Sequence, residues 1–146
     1  MSEDRTLEEK IVYAFYEINK QTSPKFERCT GISQTRLDLL HKLFEVEEIS
    51  QTELQKTVNI DNGAVTRHLK QLEEKGMVSR RKNPADNRFT FVRLTSEGRD
   101  KIAGYKEEKQ RFIKKVLKGF TEEEHAALLD MLIRIQNNVK AINPNE

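Results

Sequence analysis

Between Ser50 and Gly76 the chain carries start and stop signals for two helices joined by about three residues, the spacing of a helix-turn-helix. Ser50 followed by Glu53 predicts a capping box, and Ile49 and Leu54 hold the flanking positions of a hydrophobic staple. That helix ends before Asn59. Asp61 then caps the next helix, with Ile60 and Val65 repeating the staple, and Gly76 supplies the left-handed residue that stops it. Two capped helices so joined form a helix-turn-helix. After Gly76 the period changes: Met77 to Lys82 and Phe89 to Leu94 read as strands around the turn-forming run Asn83-Pro84-Ala85-Asp86-Asn87, which makes a hairpin with a basic tip.

Both flanks are helical by periodicity. Leu7, Ile11, Phe15 and Ile18 share one face of a first helix, which is expected to end by Pro24. A second runs from Thr35 to Phe44 with Leu37, Leu40 and Phe44 facing inward. A charged fifth helix spans about Glu97 to Gly119. A sixth opens on the capping box Thr121 and Glu124 and carries Leu128, Leu132, Ile135, Val139 and Ile142 at alternating spacings of four and three, a seam that needs a partner helix. The expected fold is mainly α with a small β-hairpin wing: a winged helix-turn-helix lobe plus a helical dimerisation region.

Composition supports a shared core. Of 146 residues, 36% are apolar and 34% charged, so one chain buries a thin core and two could bury a thicker one together. No run of 18 apolar residues occurs and the first ten residues are acidic and polar, so neither a membrane partner nor a signal peptide is expected, and the protein is placed in the cytoplasm. Cys29 is the single cysteine. Net charge is only +2, but between Asn62 and Arg93 eight cations face three anions, so this window carries +5. A basic segment in a near-neutral scaffold is the footprint of a phosphate-binding surface.

Double-stranded DNA is therefore the expected partner. On a helical wheel Val65, Leu69 and Leu72 fall on one side of the fourth helix, with Gly63, Arg67, Lys70 and, at the edge, Thr66 opposite. Arg67 has the fork that reads guanine, Asn62 suits adenine, Thr66 offers a hydroxyl and a methyl, and Gly63 permits close approach. On the hairpin, Arg88 is expected to enter the minor groove with Asp86 holding it. Arg80, Arg81 and Lys82 serve phosphates, setting affinity and register rather than sequence preference.

Several elements in order resemble the MarR (multiple antibiotic resistance regulator) family: Leu37 to Leu40, Ile49-Ser50-Gln51-Thr52-Glu53-Leu54, Val65-Thr66-Arg67, Leu72-Glu73-Glu74-Lys75-Gly76, Arg80-Arg81, Pro84-Ala85-Asp86-Asn87-Arg88 and Leu94-Thr95-Ser96-Glu97-Gly98. The resemblance implies a single domain over 1–146, with the DNA-binding lobe at 33–96 and a discontinuous dimerisation region at 1–32 and 97–146. It implies a homodimer reading a pseudo-palindrome, usually as a repressor released by a small lipophilic or phenolic effector. Gly63 and Ala64 depart from the Ser and Thr more frequent in the family, and Asn87 replaces a frequent arginine.

Sensing by metal or thiol finds less support. Zinc-sensing relatives use side chains near Cys29, His41 and Glu107 or Glu108, but the fifth helix has no histidine and a full site takes four ligands, so no metal or other cofactor is expected. Cys29 beside Arg28 reads as an ordinary cysteine in the link before the second helix, and His68 and His125 as surface or partly buried residues. No phosphate loop, HExxH or nucleophile elbow is present, so no enzymatic activity is expected. The competing reading is a helical protein-interaction module without DNA binding, which gives no reason for the basic window.

Overall fold

The computed structural model describes residues 4–145. Its elements run α1 (Leu7–Thr30), α2 (Gln34–Phe44), β1 (Ile49–Ser50), α3 (Gln51–Val58), α4 (Asn62–Glu74), β2 (Val78–Asn83), β3 (Asp86–Leu94), α5 (Ser96–Val116) and α6 (Glu122–Ala141). They fall into two compact units, one running to Phe112 and the other from Ile113 onward. Among the described residues no helix is long and apolar enough to cross a membrane.

The helix ends follow local chemistry. Ser50 Oγ accepts from the Glu53 N–H, Asp61 from that of Ala64, and Thr121 and Glu124 cap each other reciprocally. Gly76 takes φ 76° after α4, where a side chain would be strained.

Local signals mispredict α1. The helix does not end at Pro24 but continues through it to Thr30, where Gly31 at φ 81° closes it, so Cys29 is an exposed residue of its last turn rather than of a link. Proline removes one helical hydrogen bond. The turn beyond it is nevertheless anchored, because Phe26 is buried edge-on against Phe112 and the Thr30 hydroxyl donates to the Phe26 carbonyl at 2.7 Å while accepting from the Ile32 N–H at 3.3 Å.

In α2 the buried residues are Leu37, Leu39, Leu40 and Leu43, whereas Phe44, expected inside, is exposed. The three-residue step from Leu40 to Leu43 fills the inward position, and Phe44 instead lies beneath two cations, Arg99 and Lys106, each 5.3 Å from its ring.

The core joins α2, α3, α4 and the sheet. Leu37, Leu40, Leu54, Val65, Leu69, Leu72, Met77, Val92 and Ile102 are all buried in one cluster. Each such side chain contributes about 1.5–3 kcal/mol on leaving water. The sheet has three antiparallel strands in the order β1-β3-β2. The wing is tighter than its sequence suggests: β2 reaches Asn83, β3 begins at Asp86, and the turn is Pro84 and Ala85. Two-residue β1 had no alternation to betray it, and it exists because Ile49 and Ser50 pair with Val92 and Phe91.

One junction ties wing and helices together. Thr95 Oγ1 donates to the Gly76 carbonyl at 2.6 Å and accepts from the Gly98 N–H at 3.0 Å, while the Thr95 N–H donates to the Met77 carbonyl at 3.0 Å. The Leu94 to Gly98 segment thus caps α5 and fastens it to the corner between α4 and β2.

Candidate nucleic-acid interface

Burial divides α4 into two faces. Val65, Leu69 and Leu72 are buried, while Asn62, Gly63, Thr66, Arg67 and Lys70 are all exposed. The apolar contacts on one side therefore orient the polar residues on the other. Among the described residues no ion pair engages Arg67, Lys70 or Lys82. Thr66 is less free than its sequence position suggests: its hydroxyl donates to the Asn62 carbonyl and accepts from Gln51 Nε2, both at 3.0 Å. Gln51 thereby braces the start of α3 against α4, a role with no local sequence signal.

His68, half-buried on α4, accepts at Nδ1 from Arg36 Nε at 3.2 Å. Burial first, then the charges of Arg36 and Arg67, lowers its pKa below 6.5. His41 on α2 is lowered likewise, by burial and then by Lys106 and Lys109. The unfolded chain therefore takes up these protons more readily than the folded one. This part of the stability is complete above about pH 6.5, where both states are neutral, and is lost as pH falls below it. Urea midpoints between about pH 8 and about pH 5 should decline less in a His41→Gln/His68→Gln variant than in the parent. Equal declines would show that these histidines carry none of the effect. His125 is exposed.

On the wing, Arg88 is 84% exposed while Asp86, which grips it, is 28% exposed. Asp86 accepts from Arg88 Nε at 3.0 Å, from Nη2 at 2.7 Å and from its backbone N–H. These bonds hold the Asp86 carboxyl below its usual range, the side-chain bond first. The arginine is projected and the carboxylate lies behind it.

The three strand cations differ. Lys82 is exposed, Arg80 is half-buried against Glu73 at 3.1 Å, and Arg81 is forked onto Glu48. Glu48 did not stand out in the sequence, and Glu73 did so only within the Leu72 to Gly76 run, with nothing to pair it with Arg80. Among the described residues no group of three or more His, Cys, Asp or Glu side chains is arranged to hold a metal ion.

The sequence profile of the MarR family matches residues 32–90. Over 135 residues the chain is 56% identical to the uncharacterized HTH-type transcriptional regulator YdgJ of Bacillus subtilis (strain 168), covering 92% of this chain and 82% of that protein. A MarR mutant from E. coli complexed with operator DNA superposes with a TM-score of 0.74 at 25% identity, over 90% of this chain and 99% of that one. An organohalide-sensing RdhR transcriptional regulator in its 2,4-dichlorophenol-bound form gives 0.81 at 18% identity, over 93% and 83%.

Proposed function

This chain belongs to the MarR family of transcriptional regulators, and from that premise we propose that it is a cytoplasmic homodimer that binds a pseudo-palindromic operator, acts by binding rather than catalysis, and represses until a small effector releases it. The observation that carries this reading is the exposed cationic face of α4, engaged in no ion pair among the described residues, opposite a fully buried one. In the family's geometry that helix enters the major groove, with Arg67 forked onto guanine, Asn62, Gly63 and Thr66 at the leading end, and Lys70 toward the backbone. Arg88, held by Asp86, reaches the minor groove, and Lys82 with Arg80 and Arg81 lies along the phosphates. The lobe comprises 33–96, and 1–32 with 97–146 forms the dimerisation region.

Dimerisation is supported by apolar side chains that one chain leaves in water. On α1, Leu7, Ile11, Phe15 and Ile18 are exposed. On α6 nothing is buried: Leu128, Leu132 and Ile135 are half-covered, and Val139 and Ile142 are exposed, the latter just past the helix end. Apolar surface of that extent marks an interaction site. The effector is lipophilic or phenolic, as the dichlorophenol-bound relative suggests.

Selection of preferred duplexes from a random pool tests the reading. Two half-sites should emerge with centres about one helical turn, roughly 34–36 Å, apart. Arg67→Ala should relax preference at one position per half-site by about 1–3 kcal/mol. A short asymmetric site, or equal losses on selected and random DNA, contradicts these roles. Binding to no duplex would favour a helical protein-interaction module.

A further inference from the structure

Glu48 lies between α2 and β1, and its carboxylate accepts from Arg81 Nε at 2.9 Å and Nη2 at 2.7 Å across 33 residues of chain. The guanidinium also sits over the Phe91 ring, 5.0 Å from its centroid. The sheet builds this meeting. Phe91 on β3 pairs with Ser50 on one side and with Arg81 on the other, so the register brings the segment before β1 alongside Arg81. Hydrogen bonding to Arg81, with the charges of Arg81 and Arg93, holds the Glu48 carboxyl below its usual range, so it is ionised at neutral pH.

We infer that Glu48 is a built-in competitor for the DNA backbone: by occupying two donors of Arg81 and matching its charge, it sets the sequence-independent part of the affinity. The inference rests on the DNA-binding reading proposed above. A phosphate approaching Arg81 meets a neutral pair, so fewer condensed counterions are released than by a free cation. To use both donors it must first open a charge-assisted fork. Lys82, one residue further along the same strand, carries no such partner among the described residues. Arg81→Ala alone should consequently weaken binding less than Lys82→Ala.

The test is fluorescence anisotropy with a mixed-sequence duplex and with the selected operator over a range of salt. Glu48→Gln should tighten both by on the order of fivefold near 0.1 M salt, and steepen the log-log salt slope by about one. The preference between the two duplexes should stay unchanged. In an Arg81→Ala background the same substitution should do nothing, which separates a released guanidinium from a general gain of positive charge. Unchanged or weaker binding by Glu48→Gln, or a gain that persists without Arg81, would overturn the inference while leaving DNA binding intact. A parent protein with no salt-dependent affinity for any duplex would remove the DNA-binding reading and this inference with it.

Discussion

Val139→Asp and Ile11→Asp should each turn the protein into a monomer and lower operator affinity by at least about a hundredfold. In a single chain Val139 is 60% exposed and Ile11 46% exposed. An aspartate at either place therefore costs an isolated subunit little, within about 0.5 kcal/mol for a surface change. At a two-fold interface the same residue enters twice, and each unpaired carboxylate leaves water at a penalty of several kcal/mol. The loss of DNA binding follows from linkage. Two half-sites held by one body gain on the order of a hundredfold to ten-thousandfold from effective concentration, and separated lobes forfeit it. Sedimentation equilibrium reports the mass, and anisotropy with the selected operator reports the affinity. Val139→Leu should retain both properties. A dimeric Val139→Asp protein with parental affinity would place the interface elsewhere.

Gly98→Ala should destabilise the lobe by about 3 kcal/mol, since overpacking a tight site costs about 1–3 kcal/mol and a broken hydrogen bond roughly one more. A β-carbon at Gly98 would be driven onto the Met77 carbonyl oxygen and within 3.0 Å of Leu94 Cδ1. That carbonyl accepts the Thr95 N–H, so its displacement breaks the junction fastening α5 to the corner of α4 and β2. Gly104 lies on the same helix, and a β-carbon there would meet nothing within 4 Å. Gly104→Ala should thus be neutral or stabilising by up to about 1 kcal/mol, through helix propensity. Thermal unfolding of the two variants isolates packing from propensity. A Gly98→Ala protein melting with Gly104→Ala would show that the corner yields.

Much of the lobe was legible because its signals act over three or four residues. Caps at Ser50, Asp61 and Thr121, the stop at Gly76 and the apolar spacing of Val65, Leu69 and Leu72 are local properties, and the structure places each element accordingly. The exposed face of α4 follows directly, since a helix that buries one side must present the other. Local signals erred where distant contacts outweighed them. Burial of Phe26 carried α1 through Pro24, and Phe44, which Leu43 displaces from the core, stays exposed against cations of α5.

Sequence alone therefore determined which segments become helices and hairpin, and which cations gather in the same stretch of chain. Only the tertiary structure decided which of those cations stand free: Glu48 and Glu73 meet Arg81 and Arg80 through sheet register and the packing of α4 on β2. Capping and periodicity are written within one or two turns of backbone, whereas an ion pair spanning 33 residues exists only after the strands between its partners have aligned.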